Sequence, residues 1–234
     1  MKKIKFHSIY YRYMAFICLL GITALYAALD TMGQNINLQI DGFKDFSLTK
    51  NGLLLIFIGF VAVILVFSFV HWKFYYCEKG IYIRKIDLLV PWNEIVAVSH
   101  VWITECNLGG KPYFYNRKTL VIYREDNKPI CVYNVSLLAL YIAKLRNPHL
   151  TTNMVSATLA TAFNVTLNAW PLYEVYSKKL DTMQLGLFIA WVILYAIKVF
   201  VLPLLMTSHQ NKLHGKFLFH DTALKKNVSP VIQV

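Results

Sequence analysis

Few side chains in this sequence have the type and spacing expected of a catalytic, metal-binding or ligand-binding site. Glu94 is a candidate acid and Trp92 a candidate ligand-stacking ring, but their setting favours a local ion pair and a core or interfacial anchor. His209, His214 and His220 have spacings that match no known set of zinc ligands, and no C-x-x-C pair occurs among the four cysteines. We therefore predict no catalytic residue, no metal site and no cofactor.

The motifs of common enzyme classes are also missing from the sequence. It contains no G-x-S-x-G nucleophile elbow, no H-E-x-x-H helix, no P-loop and no dinucleotide-binding glycine pattern. Lys198 stands apart because it interrupts an apolar run, where an ammonium group costs about 2.5–3.5 kcal/mol on insertion scales. We predict either that Lys198 snorkels to the interface or that it contacts a partner or ion inside the membrane.

Composition indicates an integral membrane protein. Of the 234 residues, 57% are hydrophobic and 15% are charged, whereas soluble domains are about a quarter charged. Lysine and arginine outnumber aspartate and glutamate by 24 to 12. This excess is interpreted as charge that flanks spans, and nucleic acid is not expected as a partner because no basic helix, finger or RNP motif is present.

Three apolar segments are predicted to cross the membrane. An N-terminal transmembrane hairpin, residues 1–72, contains spans at about 13–29 and 51–72 joined by an outer loop at 30–50, and a third span covers 182–206 before a tail at 207–234. Residues 151–181 are predicted to form an amphipathic helix that lies flat, with Asn153, Asn164 and Asn168 facing water and Leu159 facing apolar surface. A fourth span in this segment is the alternative.

Basic residues set the predicted orientation. Four precede the first span, two lie in residues 30–50 and thirteen lie between Lys73 and Lys179. Under the positive-inside rule this places the N-terminus and the middle region in the cytosol, and the loop at 30–50 outside. With three spans the lysine-bearing tail would end outside.

The region 73–150 changes to short alternating patterns that predict a small β-domain. A Lys79–Gly80 turn between two β-prone runs indicates a hairpin, and further strands are predicted at 94–103, 119–124 and 130–133. A helix follows, with one apolar face formed by Leu137, Leu138, Tyr141, Ile142 and Leu145. We expect this helix to close the end of a barrel or sandwich.

Two short motifs in this region resemble a known family. Glu78-Lys79-Gly80-Ile81-Tyr82-Ile83-Arg84, followed by Val90-Pro91-Trp92-Asn93-Glu94-Ile95, resembles the hairpin and "i-P-W-x-E-I" strand of bacterial pleckstrin-homology-like domains found beside membrane hairpins. The resemblance covers residues 73–150, with Gly80, Pro91, Trp92, Glu94 and Ile95 as motif residues. It implies a bent β-barrel with a C-terminal helix and no catalytic residues.

The sequence thus predicts an α+β membrane protein with three transmembrane helices, or four in the alternative, and a cytosolic pleckstrin-homology-like barrel or sandwich capped by a helix. We expect a multi-pass protein of the bacterial inner membrane that is not an enzyme, contacts the lipid bilayer, and binds a protein or lipid headgroups through its cytosolic domain. One alternative is an immunity protein whose partner is a membrane-acting, pore-forming antibacterial toxin. A transporter or channel component is the second alternative.

Overall fold

Two β-sheets and five helices make up the regular structure of the described part of the chain. The structure is a computed structural model, and it describes residues 3–31, 50–70, 72–108, 111–177, 184–218 and 231–234. The α+β composition predicted from the sequence is therefore confirmed, whereas the predicted number of spans is not.

The first sheet is antiparallel and joins the N-terminal strand to the predicted hairpin. Its strands, in spatial order, are β1 (Ile4–His7), β2 (Trp72–Tyr76), β3 (Gly80–Ile83) and β4 (Leu88–Pro91). The hairpin at the Lys79–Gly80 turn is confirmed, since β2 and β3 pair with Tyr76 opposite Ile81. β1 leads straight into the first helix and β2 follows the second, so this sheet is built on the ends of two apolar helices.

The second sheet is centred on a long hairpin. Its spatial order is β8-β5-β6-β7-β9, and its strands are β5 (Ile95–Leu108), β6 (Lys111–Arg124), β7 (Asn127–Tyr133), β8 (Thr151–Thr152) and β9 (Ile232–Gln233). The three predicted strands are confirmed, although β5 and β6 are longer than expected. The two short edge strands β8 and β9 pair in parallel with β5 and β7.

The two sheets share one buried apolar cluster. Phe74 and Ile81 of the first sheet and Leu120 and Ile130 of the second are all fully buried in it. Helix α3 (Leu138–Arg146) closes one end of this core, and the buried Tyr76 hydroxyl donates a hydrogen bond to the Ala139 carbonyl at 2.9 Å. The result is a sandwich capped by a helix.

The buried face of α3 differs from the predicted one. Ala139, Leu140 and Ala143 are the buried residues of the helix, whereas Leu138 is 61% exposed and Leu145 is 79% exposed. The helical periodicity predicts a buried face made of the larger apolar residues. In the structure the buried face includes Ala139 and Ala143, whose small side chains allow the helix backbone to approach the core closely. The predicted face is therefore correct only in part, because Leu137 and Ile142 pack half-buried against the core whereas Leu138 and Leu145 face outward.

The prediction of three or four spans is wrong. Among the described residues only the helix α5 (Leu185–His214) is long and apolar enough to cross a membrane, by length and composition. The described apolar parts of α1 (Tyr10–Thr31) and α2 (Lys50–Phe67), Tyr10–Tyr26 and Leu54–Phe67, are shorter than a bilayer requires. Residues 32–49 of the predicted outer loop lie outside the described residues.

The end of α2 explains why the predicted span at 51–72 is too long. The amides of Ser68, Phe69 and Val70 donate to carbonyls three residues earlier, which tightens the chain into a turn and ends the helix. Trp72 then begins β2. The apolar run thus continues past Phe67 in sequence, but its last residues belong to a turn and a strand.

The strand β9 corrects the predicted side of the C-terminus. Ile232 and Gln233 pair with Ile130 and Cys131 of β7, and the Val234 amide donates to the Cys131 carbonyl at 2.9 Å. The last residues of the chain therefore lie on the same side of any membrane as the β-domain. A three-span chain with a cytosolic domain and an external tail is incompatible with this pairing.

Helix α4 (Met154–Ser177) confirms that the predicted segment 151–181 contains a helix, but its polar side is turned the other way. Leu159 is 66% exposed, while Asn153 donates to and accepts from the backbone of His100 in β5, at 2.9 Å and 2.8 Å. The asparagines serve contacts within the protein rather than contacts with water. The 24 residues of α4 are enough to cross a membrane, but the helix is not apolar enough, so the four-span alternative is wrong as well.

Gly80 offers the first test of this fold. A Cβ atom added there would lie 2.0 Å from the Val90 carbonyl oxygen, because Gly80 faces Pro91 across the β3–β4 pair. We expect Gly80→Ala to lower the free energy of unfolding by about 2 kcal/mol or more. The control is Gly59→Ala in α2, where a Cβ meets nothing within 4 Å. Thermal unfolding in detergent that shows equal melting of both variants would contradict the strand register.

The buried face of α3 gives a second test. Leu140→Ala removes a fully buried side chain and should cost about 2–5 kcal/mol of unfolding free energy. Leu145→Ala, at an exposed position of the same helix, should change it by about 0.5 kcal/mol or less. Chemical unfolding of the full chain measures both, and a larger loss for Leu145→Ala would restore the face predicted from periodicity.

Candidate functional site

A polar cavity lies where the second sheet, α1, α4 and α5 meet. It consists of two adjoining pockets of about 210 Å³ and about 400 Å³ that share Ile9, Tyr13, Lys118 and Asn164 in their walls. We take this cavity as the candidate functional site and refer to it below as the junction cavity.

The β5–β6 hairpin supplies two cross-strand pairs to the junction cavity. Trp102 lies opposite Lys118, and Thr104 lies opposite Asn116 with its hydroxyl donating to the Asn116 side-chain oxygen at 3.0 Å. Residues two apart on a strand face the same way, so the register places these side chains on one face. The Lys118 ammonium lies 5.5 Å from the centre of the Trp102 ring.

Helix α5 contributes Lys198 through a local change of helical geometry. Residues Ile197–Val201 form a π-helical turn, and Pro203 follows it. Proline has no amide hydrogen, so the Val199 carbonyl loses its α-helical donor and instead accepts a hydrogen bond from the Asn116 amide at 3.2 Å. The π-turn and this bond join the helix to the end of the second sheet, beside the buried Lys198.

The asparagines of α4 line the opposite wall. Asn164 and Asn168 are four residues apart on one helical face, and the Asn168 amide donates to the Asn164 side-chain oxygen at 3.1 Å. The Lys198 ammonium donates to the Asn168 side-chain oxygen at 3.4 Å and lies 4.0 Å from the centre of the Tyr195 ring. Lys198 is therefore held inside the protein by neutral groups instead of snorkelling away from it.

The beginning of α1 completes the site. Ile9, Arg12 and Tyr13 line the cavity, and the Ile9 amide donates to the Asn134 carbonyl at 2.8 Å, which ties the chain before α1 to the second sheet. The Arg12 guanidinium lies 4.8 Å from the centre of the Phe69 ring and 3.5 Å from the Ser68 hydroxyl. Arg12 is thus positioned by the turn that ends α2.

The junction cavity is positively charged. Lys118, Lys198 and Arg12 line it, and no aspartate or glutamate is among the described lining residues of either pocket. Burial lowers the pKa of Lys118, whose ammonium group makes no hydrogen bond to another described residue. The indole Nε1–H of Trp102, which is 1% exposed, also has no acceptor in the described part of the chain. Buried donors normally have partners, so these groups favour an anion as the ligand.

His100 lines the larger pocket as a neutral ring. Its Nε2 atom lies 3.0 Å from the Val135 carbonyl, which only accepts, so Nε2 carries the proton and Nδ1 is a free acceptor. Burial lowers the pKa of His100 to about 4. Nδ1 has no donor among the described residues and could accept a hydrogen bond from a ligand hydroxyl or from water.

The motif residues predicted from the sequence lie elsewhere and have structural contacts. Gly80 pairs with Pro91, and the Trp92 indole donates to the Cys77 carbonyl at 3.1 Å. Glu94 forms an ion pair with Arg124 at 3.2 Å and accepts from the Asn127 amide at 3.0 Å. Ile95 is buried in the main core. None of these five residues lines the junction cavity, and only Lys198 of the predicted site residues does.

The described residues contain no group of three or more histidine, cysteine or acidic side chains that could hold a metal ion. His214 stacks on Tyr123 with ring centres 4.2 Å apart, and His220 lies outside the described residues.

The cavity residues that the sequence interpretation missed are Trp102, Lys118, Arg12 and Asn116. The available signal was the cross-strand pair of Trp102 and Lys118, with Asn116 two residues from Lys118 on the same strand face. This pair becomes visible only when the β5–β6 register is known.

The neutral state of His100 predicts a pH dependence of stability. The unfolded histidine takes up a proton near its usual pKa of 6.5, whereas the folded ring does so only near 4. The stability is therefore complete above about pH 6.5 and should fall as the pH drops toward 4. His100→Gln keeps a donor for the Val135 carbonyl and should flatten this slope in melting experiments, while His149→Gln at an exposed position should not. An unchanged slope in His100→Gln would contradict the assignment.

Comparisons of the chain with protein-family models, with curated proteins and with solved structures give no match.

Proposed function

We propose that this protein is a non-enzymatic protein of the bacterial inner membrane whose β-domain is a lipid-binding module on the cytosolic surface. Three features of the described residues support this proposal. They are an apolar helix that needs a lipid environment, an aromatic and cationic surface beside it, and a positively charged cavity between the helix and the domain.

The first half of α5 supplies the apolar surface. No residue of Leu185–Ala196 is buried, and Leu185, Ile189 and Ile193 are each about half exposed or more. Its second half packs on the outer face of the second sheet, where Met206 joins a buried cluster with Val101, Val121 and Tyr123. The helix thus joins an apolar projection to a folded domain, and this arrangement sets the domain against a bilayer surface.

The main support for the proposal is a group of aromatic and basic side chains on the outer face of the first sheet. Trp72, Tyr75 and Tyr82 stack on one another there, with the two tyrosine rings 4.8 Å apart and Trp72 within 6.1 Å of Tyr82. The cationic groups of Lys3, Lys5 and Arg84 lie 5.1–5.6 Å from the centres of the Tyr75 and Trp72 rings. Below, these six residues are called the interfacial patch.

The position of the interfacial patch fits the headgroup layer. Trp72 pairs with His7, and β1 and β2 connect here to the first turn of α1 and the last turn of α2. Next to it, Phe69 and Val70 are exposed at the end of α2. Tryptophan and tyrosine prefer the membrane–water interface, and each basic residue near an anionic leaflet contributes about 1 kcal/mol. Tyr76, which follows Tyr75 in β2, is not part of the patch because it is fully buried in the core.

The cytosolic orientation and the resemblance to bacterial pleckstrin-homology-like domains are part of the proposal. Eleven basic and six acidic residues between Lys73 and Leu150 favour the side of the anionic inner leaflet. The order of short antiparallel strands followed by the helix α3 supports the resemblance. The immunity-protein and transporter hypotheses stay predictions, because no described contact is specific to either.

Fluorescence quenching in vesicles tests the lipid-binding surface. The full chain is placed in vesicles that carry a headgroup-attached spin label, made with or without 30% phosphatidylglycerol (about the fraction needed for a strongly anionic surface). The quenching that is lost in Trp72→Phe is the contribution of Trp72. We expect a contribution that is larger in anionic vesicles and that is reduced there by Arg84→Glu.

Lys128→Glu, an equal charge change at the exposed β6–β7 turn, is the matched control and should leave the Trp72 contribution unchanged. If Trp72 contributes nothing to quenching in either type of vesicle, the patch does not lie at the membrane and the proposed lipid-binding module is wrong.

A further inference from the structure

We propose that the junction cavity is a binding site for a phosphate group, held by the ammonium groups of Lys118 and Lys198 and by the indole N–H of Trp102. This inference deepens the proposed function and rests on it for the source of the ligand, an anionic phospholipid. The residues that carry it are separate from the interfacial patch.

The strongest support is a pair of cations, the half-buried Lys118 and the buried Lys198, that have no anionic partner among the described residues. Lys118 and Lys198 come from β6 and α5, which are 80 residues apart in sequence, and both line the smaller pocket. The Lys118 ammonium lies 5.5 Å from the centre of the Trp102 ring. Lys198 is 6% exposed, and its ammonium lies beside the Asn168 side-chain oxygen and the Tyr195 ring. Two cations that share one cavity repel each other, and a bound anion removes that repulsion.

Neutral hydrogen-bond donors lie in the same cavity as the two ammonium groups. The Trp102 Nε1–H has no described acceptor, and the side-chain amides of Asn116 and Asn164 lie in the same walls. A phosphate ester offers several acceptor oxygens and at least one negative charge, which suits two ammonium groups and an indole. The acceptor Nδ1 of His100 lies in the wall of the adjoining pocket, where it would receive a hydroxyl rather than a charged oxygen.

The shape of the cavity favours a phosphate that carries an apolar substituent. The larger pocket continues between α1 and α4, where Phe16, Val165 and Ala169 line it. This apolar end lies on the helical side, toward the exposed surfaces of α1 and α4. Basic pockets between membrane helices on the cytosolic side are a known setting for phospholipid headgroups. A free phosphate would use the charged end alone.

Thermal unfolding of the full chain in a neutral detergent tests the site. Three probes are added in turn: phosphatidylglycerol, phosphatidylcholine and inorganic phosphate. We expect phosphatidylglycerol to raise the melting temperature by on the order of 5 °C near saturation, and the other two probes to have little effect. The double variant Lys118→Met/Lys198→Met should weaken the binding at least about tenfold, since charge-assisted hydrogen bonds are lost.

Two further variants separate binding from folding. Lys212→Met, at an exposed position of α5, is the matched control and should keep the full response to phosphatidylglycerol. Trp102→Phe keeps an aromatic ring at this position but removes the N–H together with part of the indole, and it should also weaken binding. Without lipid, the double variant should melt no lower than the natural protein, because methionine replaces amines that have no ionic partner. A structural role for the lysines would instead lower its melting temperature.

The outcomes distinguish the two sources and the two proposals. A response to inorganic phosphate that both lysine substitutions abolish, with none to phosphatidylglycerol, supports the phosphate site and assigns it a soluble ligand. No response to any probe, or an undiminished response in the double variant, overturns the site. The quenching of Trp72 does not depend on the junction cavity. The cavity proposal can therefore fail while the interfacial patch is still supported, and the reverse also holds.

Discussion

The register of the β5–β6 hairpin is the constraint on which the rest of the structure depends. Each strand has 14 residues, and the hairpin packs against other parts of the protein on both of its faces. Val98, Leu120 and Ile122 belong to the core shared with the first sheet and α3, whereas Val101 and Val121 belong to the cluster under α5. A slip of one residue would exchange these two sets of side chains and separate Trp102 from Lys118. The same hairpin anchors α4 through Asn153 and α5 through Asn116, so the helices and the cavity take their positions from it.

The β-domain was largely predictable because its signals are local. Alternating apolar residues and the Lys79–Gly80 turn indicated the hairpin, and the same pattern located β5, β6 and β7. Gly80 is an example in which the residue type follows from the backbone, since β4 leaves no room for a Cβ atom there. Glu94 was expected to pair locally, and it pairs with Arg124 across the sheet. The face of α3 was not predictable from hydrophobicity alone, because small alanines pack against the core and larger leucines remain exposed.

The helical part was predicted less well, and the reason is physical. Hydropathy reports how apolar a run is, but it does not show where a turn ends the helix, and i→i−3 hydrogen bonds end α2 at Phe67 before the apolar run is complete. The side of the C-terminus was missed because β9 is two residues long and pairs with β7 about a hundred positions earlier. Asn153, Asn164 and Asn168 were interpreted as a water-facing stripe, although a stripe of amides serves equally well to line a cavity. The junction cavity depends on four distant segments, so no local pattern could have revealed it.

Positively charged groups inside a protein carry a cost unless something neutralises them. Lys118 and Lys198 are held against aromatic faces and amide oxygens, contacts that orient a cation but do not cancel its charge. Their retention in one cavity is explained if they act on a ligand that the chain itself does not supply. This view links the domain to the membrane, because the helix that carries Lys198 is also the one with the length and composition of a span.

Native mass spectrometry of the full chain, released from bacterial membranes in a mild neutral detergent, tests that link most directly. A protein that holds a phospholipid in the junction cavity should retain one phospholipid per chain, and the variant Lys118→Met/Lys198→Met should appear as the bare chain under the same conditions. Equal retention by both proteins, or no bound phosphate-containing molecule in the natural protein, would contradict the assignment of the cavity as a ligand site.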